Sequence, residues 1–298
     1  RPGMNKKIVN SYLMADGSRF TDKAGYETMT FDQECQNRDP RLAQTIRTPG
    51  YTRIGSTKKE APNLAYTMTG YHLIKYSMTA NYDEYNKSCN DIPLFRTAEV
   101  YLNFAEAKAE LGTLKQADIN KSIKLLRDRV GMTNLDMELA NSKPDPYLMS
   151  AATGYPNVKG ANQGVILEIR RERTIELAME GFRYYDIMRW KEGKLFENDL
   201  LGIYVPGPGT YDLDKDGTDD VCFYVGTKPA GNVPLYLEIG EQIRLSNGES
   251  GYIICHSLIT KKWNEDRDYL YPVPISERTL SNGVITQNPG WNDGLNFN

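Results

Sequence analysis

The chain has 298 residues, of which 40% are apolar, so it is long enough to bury a large hydrophobic core in one domain or two. Its 36 Lys and Arg residues stand against 39 Asp and Glu, a net charge of -3, which provides no basic field for a phosphate backbone and argues against a nucleic-acid partner. No apolar run approaches the roughly 20 residues of a membrane-spanning helix, and no secretory signal begins the chain, so it is either cytosolic or lacks its leader.

Residues 1–92 show no long helical period. Turn formers such as Asp16-Gly17 and Pro49-Gly50 alternate with short apolar pieces, which predicts loops with a few short strands or helical turns. The four cysteines form no CxxC pair and the chain has only two histidines, which gives little support for a zinc site. The thiols are therefore expected to be buried and free, or to form one disulfide.

The first long helical pattern begins after Pro93. Apolar side chains recur at helical spacing in LFRTAEVYLNFAEAKAELG, and Gly112 stands where a C-terminal cap would fall. The same period runs through QADINKSIKLLRDRVGM, which includes Gly131. The pattern predicts helices over about 94–111 and about 116–130, joined as an antiparallel hairpin.

A second helical pair is predicted after a long loop. Residues 131–164 are rich in Asn, Pro, Gly and Ser and carry no period, so they are expected to form a surface loop. The helical period resumes in GVILEIRRERTIELAMEGFRYYDIMRWKEGK, where Gly181 separates a helix over about 165–180 from one over 182–192. Two such hairpins are typical of tetratricopeptide-type repeats, although these loops are too long for a regular array.

The rest of the chain, 193–298, is divided by Gly, Pro and Asp into short pieces such as VCFYVG, YIICHSLI and YLYPVPI. These pieces predict short strands and loops wrapped on the helices. The predicted fold class is therefore mainly α, with two tetratricopeptide-like helix hairpins and a coat of irregular loops and short strands. The hairpins are expected at about 94–130 and 165–192, and the irregular segments at 1–92, 131–164 and 193–298.

Five segments contain sequence motifs that occur together in one known family: VNSYLMADG, NRDPRLAQTI, FRTAEVYLNFAEAKAELG, IRRERTIELAMEGFRYYDIMRW and YLYPVPISERTLSNGVITQNPGWN. In order and spacing they resemble the SusD/RagB family of outer-membrane nutrient-binding lipoproteins. The resemblance places residues 1–298 in the C-terminal portion of a SusD-like α-α superhelix. Because family members are longer at the front, it also implies that this chain is a fragment without the lipidated cysteine.

The resemblance implies a function as well as a fold. The family's lipoproteins lie on the bacterial outer membrane, bind glycans or other nutrients, and hand them to a SusC-like TonB-dependent transporter during polysaccharide utilisation. The implied partners are thus an oligosaccharide or other nutrient and that transporter, with no nucleic acid, and with membrane attachment only through a lipid anchor absent from this chain. The family supplies no catalytic residues and requires no cofactor.

Three glutamates share one face of the predicted third helix. Glu172, Glu176 and Glu180 are spaced four residues apart. One interpretation is a carboxylate pair for glycoside hydrolysis, in which one acid must stay protonated. Neighbouring arginines would hold both ionised, and this favours a charge network that joins packed helices. The chain is therefore predicted not to be an enzyme.

The run YDLDKDGTDDVCFY offers an optional calcium site. Four aspartates occupy positions 1, 3, 5 and 9 of a calcium loop, but Phe223 replaces the bidentate glutamate of position 12. The alternative is a loop of Asx turns without an ion. The predicted ligands are Asp212, Asp214, Asp216, the carbonyl of Thr218, and Asp220.

Loop aromatics are the predicted sugar contacts, because a pyranose needs an exposed ring for its apolar face and polar groups for its hydroxyl rim. Several of the 20 tyrosines cluster before the first helix, where each could instead pack the irregular segment on the helices. Trp190 and Trp291 are expected to serve packing. The predicted ligand-binding residues are Tyr71, Tyr82, Tyr85, Trp263, Asn81, Asp83 and Asn86.

Glycan binding is thus the function that the sequence favours. A helical-repeat scaffold that holds another protein is the first alternative, and a glycoside hydrolase the second.

Overall fold

The structure is a computed structural model that describes residues 2–292 and residue 294. Helices form most of its regular structure, and short strands follow residue 199. Single turns of 3-10 helix occur at Phe20–Asp22, Tyr26–Thr28, Ala80–Tyr82 and Gly193–Glu197. The helices are α1 (Lys6–Ser11), α2 (Phe31–Glu34), α3 (Arg41–Thr45), α4 (Thr97–Glu110), α5 (Gln116–Asn120), α6 (Ile123–Asp128), α7 (Met137–Ser142), α8 (Pro146–Met149), α9 (Gln163–Glu176), α10 (Arg183–Arg189) and α11 (Ile275–Leu280).

The first predicted hairpin is present as α4 followed by α5 and α6. The second predicted helix is divided in two because Ser122, with φ -133° and ψ -89°, leaves the helical region. Gly112 and Gly131 adopt φ of 68° and 71°, the left-handed conformation that glycine accepts most easily at the end of a helix. Both predicted caps are therefore confirmed.

The second pair of predicted helices is present as α9 and α10. Helix α9 ends at Glu176, earlier than predicted, because the chain turns through Met179 and Gly181, both of which have positive φ. Helices α1, α4, α6 and α7 all pack against α9. The predicted packing of the two helix pairs against each other is confirmed.

Helix α9 lies between two hydrophobic cores. One core gathers α4, α5, α6 and the first half of α9, including Leu102, Ile119 and Ile169. The other gathers residues of the first 71 positions and the strands, and it includes Ile175 of α9 and Phe223. Residues 164–176 are buried without exception, so the charged residues of α9 must be paired inside the protein.

The predicted loop at 131–164 contains two short helices, which corrects the sequence interpretation. Asp136 caps α7 by accepting from Leu139 N at 2.9 Å, and Asp145 caps α8 by accepting from Tyr147 N at 2.8 Å. Helix α7 packs directly on α9, where a Cβ on Gly164 would lie 1.8 Å from the carbonyl oxygen of Ala140. This segment therefore belongs to the helical layer.

The strands form two small sheets. Strand β1 (Leu200–Val205) pairs antiparallel with β5 (Gly251–Cys255), with Leu200 opposite Cys255 and an irregularity between Leu201 and Tyr204. Strand β3 (Val221–Tyr224) pairs antiparallel with β2 (Gly209–Tyr211) and parallel with β4 (Tyr236–Glu238). The strands predicted in VCFYVG and YIICHSLI are thus confirmed.

The prediction of a strand in YLYPVPI is wrong. Pro272 and Pro274 cannot donate backbone hydrogen bonds, so this piece joins no sheet and leads into α11. The four cysteines are free thiols. Within the described residues, none of the helices has both the length and the apolar character needed to cross a membrane.

Candidate functional site

The glutamates of α9 anchor a buried charge network. Glu172 accepts from Arg41 Nη1 at 2.5 Å and from Arg127 Nε at 2.8 Å, and its side chain is fully buried. Burial raises the pKa of Glu172, but Arg41 and Arg127 outweigh it and bring the pKa down to about 2. The carboxylate is therefore held ionised between two arginines from distant parts of the chain.

Glu176 and Glu180 extend this network towards the surface. Arg96 donates to Glu176 Oε1 at 2.8 Å and to Glu180 Oε2 at 2.6 Å, and Lys75 Nζ lies 2.6 Å from Glu180 Oε1. Although burial raises the pKa of Glu176, Arg96, Arg41 and Arg129 lower it below the usual value. The predicted charge network is confirmed, and the lowered pKa values of Glu172 and Glu176 do not favour the protonated acid that glycoside hydrolysis needs.

The predicted tyrosine loop presents two rings to solvent. Tyr82 closes the turn Ala80–Tyr82 and is 40% exposed, and Tyr85 is 93% exposed. Asn86 has φ of 62°, a left-handed conformation that turns the chain immediately after Tyr85. Asn81 and Asn86, which adjoin Tyr82 and Tyr85 in the sequence, are also exposed. The loop thus presents both flat faces and amides to solvent, the combination that a pyranose requires.

Arg53 holds this loop in place. Its Nη1 donates to Asp83 Oδ2 at 2.6 Å, and its Nε donates to the carbonyl of Met78 at 2.7 Å. The hydrogen bond from Arg53 lowers the pKa of Asp83, so this carboxylate stays ionised. No sequence signal links the two residues, which are 30 positions apart.

Tyr71 does not belong to that exposed surface, and its prediction as a sugar contact is corrected. The ring is completely buried and packs 6.2 Å from Phe31, measured between centroids. Its hydroxyl donates to Glu34 Oε1 at 2.7 Å, which satisfies the polar tip inside the core. A ring with no open face cannot stack on a sugar.

Trp263 lies in a separate aromatic cluster. Its ring centroid is 5.2 Å from that of Phe196 and 5.1 Å from that of Tyr269, and the indole covers Gly193. The cluster continues through Tyr184, whose ring is 5.6 Å from Phe196. Trp263 is partly buried, so it combines packing with a partly open face.

Exposed members of this cluster were missed by the sequence analysis. Tyr185 is 64% exposed and packs edge-on against Tyr184, and Tyr271 is 62% exposed. The signal that could have found them is the pair of aromatic-rich pieces RYYD and DYLY. The two other tryptophans serve packing, as predicted: Trp190 is buried, and Trp291 lies under Arg267 with 4.7 Å between guanidinium and ring.

The acidic loop brings together three of the four aspartates that were predicted as calcium ligands. Carboxylate oxygens of Asp212, Asp214 and Asp216 lie within 4.8 Å of one another. Asp220 sits beside them and accepts from Leu213 N at 2.8 Å. Burial, followed by the charges of the other three aspartates, raises the pKa of Asp220 to about 6. The same carboxylates also accept backbone hydrogen bonds of the loop, such as Gly217 N to Asp212 Oδ2 at 2.9 Å, so Asx turns are present with or without an ion.

Comparison with known proteins gives a consistent result. The family model described as "SusD family" matches residues 2–291. A solved SusD-like protein from Bacteroides fragilis is 21% identical, with a TM-score of 0.59 over 97% of this chain and 47% of that one. A solved SusD-like carbohydrate binding protein from the same species is 22% identical, with a TM-score of 0.56 over 93% of this chain and 47% of that one. The chain therefore spans about half the length of these structures, whose likeness shows a common fold. No curated protein matches.

Proposed function

Because the chain belongs to the SusD family, we propose that it is the C-terminal part of a bacterial cell-surface protein that binds glycans. Family membership, predicted from five sequence segments, is confirmed by the match over residues 2–291. One structural relative is named a carbohydrate binding protein, which supports the same class of ligand here.

The observation that carries this proposal is the exposed loop of Tyr82 and Tyr85. Both rings are open to solvent, with Asn81 and Asn86 beside them, on a loop that Arg53 fixes through Asp83. A pyranose stacks its C–H face on such a ring and directs its hydroxyls to neighbouring amides. Trp263 is proposed as a contact of a second aromatic surface.

Further parts of the function follow from the family alone and are proposed on that ground. The protein would be held at the outer membrane by a lipid anchor outside this chain, and would deliver its ligand to a SusC-like TonB-dependent transporter without chemical change. The two helix pairs would belong to a tetratricopeptide-type superhelix in the complete protein.

A glycan screen tests the proposal directly. The protein is titrated with a panel of oligosaccharides, and the products are analysed for cleavage. Binding without cleavage is the expected result. Cleavage would favour a glycoside hydrolase, and absence of binding to every sugar would favour a scaffold for another protein.

A further inference from the structure

A cavity of about 780 Å³ opens beside the charge network and has no part in the proposed glycan contacts. Its volume lies within the range of small-molecule sites, roughly 300–1,000 Å³. The lining includes the aromatic and apolar side chains of Tyr51, Ile54 and Tyr76, and Lys75 Nζ lies 5.8 Å from the centroid of the Tyr76 ring. The charged lining consists of Arg41, Lys75, Arg96, Arg129, Glu176 and Glu180.

The charges of this lining do not cancel. The charge of Arg41 is compensated by Asp39, with Nη2 2.7 Å from Oδ2, and the charge of Glu172 is compensated by Arg127. Among the described residues that line the cavity, this leaves Lys75, Arg96 and Arg129 facing two carboxylates. The cavity therefore carries one positive charge in excess.

Arg129 is the cation of this lining that can bind an additional anion. Its side chain is 50% exposed, whereas that of Arg96 is 29% exposed. Within the described part of the chain, Arg129 forms its hydrogen bonds through Nη2 alone, at 3.1 and 3.0 Å from the two oxygens of Glu176. The N–H groups of Nε and Nη1 remain as donors for an acid group, and such charge-assisted hydrogen bonds are stronger than neutral ones.

Tyr76 lines the cavity in an unusual backbone conformation. Its φ of 69° is rare for a bulky residue and must be held by its surroundings. Asn90 Nδ2 donates to the carbonyl of Tyr76 at 2.6 Å and thereby helps to fix it. The ring is 38% exposed, so part of it is open to a ligand.

The cavity adjoins the exposed tyrosine loop. Ile54 of the cavity wall follows Arg53, which binds Asp83 of that loop. Arg53 thus joins the tyrosine loop to the segment that contributes Ile54 to the cavity. Flat rings together with a cationic donor suit a sugar that bears an acid group.

We propose that this cavity binds an anionic sugar unit, carrying a carboxylate or a sulfate, and that Arg129 receives its acid group. The proposal rests on the proposed glycan binding and adds the class of ligand to it. A neutral sugar would leave the excess charge of the cavity uncompensated.

The test compares acidic and neutral sugars of equal length by isothermal titration calorimetry. Trigalacturonate supplies carboxylates, a sulfated galactose trisaccharide supplies sulfates, and galactotriose is the neutral counterpart. The variants are Arg129→Gln, which removes the charge, Arg129→Lys, which keeps it, and Lys124→Gln. Lys124 serves as the control because its side chain is 42% exposed and it lies on α6, the helix that ends just before Arg129. Thermal melting verifies that each variant is folded.

At least one acidic trisaccharide is expected to bind tenfold more tightly than galactotriose. Arg129→Gln should abolish this difference in affinity, Arg129→Lys should retain part of it, and Lys124→Gln should leave it unchanged. Whichever acidic trisaccharide binds identifies the acid group. Equal affinities for all three sugars, or an undiminished preference in Arg129→Gln, would overturn the inference while glycan binding stands. Absence of binding to any glycan, including a broad neutral panel, would overturn both proposals.

Discussion

Arg96 Nε lies 2.6 Å from Glu180 Oε2, so the residue that precedes α4 is joined to the turn that follows α9. Arg96 Nη2 also donates to the carbonyl of Glu176 at 2.6 Å, and Lys75 Nζ donates to that of Ala178 at 2.8 Å. The last carbonyls of a helix have no partners within it and carry partial negative charge. Two cations thus complete the C-terminal end of the central helix.

Removing the charge of Glu172 is expected to destabilise the protein severely. Glu172→Gln leaves Arg41 and Arg127 without their shared buried anion, and the loss of one partner from a buried ion pair costs about 3–5 kcal/mol. Urea denaturation of the variant should show this decrease in the free energy of unfolding. Glu110→Gln is the control, because the side chain of Glu110 is 51% exposed and its pair with Arg170 contributes less than about 1 kcal/mol.

The effect of Glu172→Gln should depend on pH in a defined direction. The pKa of Glu172 falls from 4.5 to about 2 in the folded protein. A lowered pKa of an acid stabilises the fold fully above the unfolded value, and this stabilisation is lost as pH falls through the folded value. The difference in stability between wild type and variant should therefore shrink between pH 5 and pH 2. A difference that stays constant over this range would contradict the proposed ionisation.

Glycan affinity should depend on the exposed tyrosine loop. Each stacking ring contributes about 0.5–1.5 kcal/mol, so Tyr82→Ala combined with Tyr85→Ala should weaken binding at least about fivefold, and the triple variant with Trp263→Ala at least about tenfold. Adding Trp263→Ala should weaken it further if the second aromatic surface contacts the same glycan. Tyr66→Ala is the matched control, since Tyr66 is 67% exposed but lies outside the loop. Unchanged affinity in the triple variant would place the glycan contacts elsewhere in the protein.

Gly193 should be intolerant of any side chain. A Cβ at this position would lie 2.0 Å from Cε2 of Trp263, so Gly193→Ala must displace the indole. We expect a shift in tryptophan fluorescence and a lower melting temperature. In a Trp263→Ala background the same substitution should cost much less, because the clashing ring is gone. Equal costs in the two backgrounds would show that backbone conformation, not the indole, restricts Gly193.

The acidic loop is expected to bind calcium weakly. Asp212, Asp214 and Asp216 already lie together, and an ion would relieve their mutual repulsion. Without the bidentate glutamate, calcium should raise the melting temperature only at millimolar concentrations, and Asp214→Asn combined with Asp216→Asn should remove the effect. Asp219→Asn, an exposed neighbour outside the cluster, serves as control. No calcium-dependent shift in the wild type would mean that Asx turns alone account for the loop.

Local patterns in the sequence were sufficient for the long helices α4 and α9 but not for burial. The apolar period placed α4 and α9 because it reflects contacts along one helix face, as the burial of Leu102 and Ile169 shows. Tyr71 and Tyr85 were both predicted as sugar contacts, yet one is fully buried and the other 93% exposed. Tyr71 is buried by partners that are distant in the sequence, Phe31 and Glu34.

Local sequence patterns also predicted only part of the candidate functional site. The charge network could be anticipated because its glutamates repeat every four residues, whereas Arg53 and Arg129 gain their roles from residues 30 and 47 positions away. The short helices α7 and α8 could have been predicted, since Asp136 and the Asp145-Pro146 pair are common at the N-terminal ends of helices. Their composition of Asn, Pro and Ser suggested a loop instead.

The charge network also bears on how the chain would tolerate being cut. Residues 80–95 are exposed throughout, and they separate Arg41 and Lys75 from the glutamates that bind them. A protease that cleaves this stretch would break a peptide bond without breaking a buried contact. The two pieces would stay associated through Glu172 and Glu180, so the nicked protein would migrate as one species until denatured. Separately expressed pieces divided there would be expected to reassemble on mixing, as in fragment complementation.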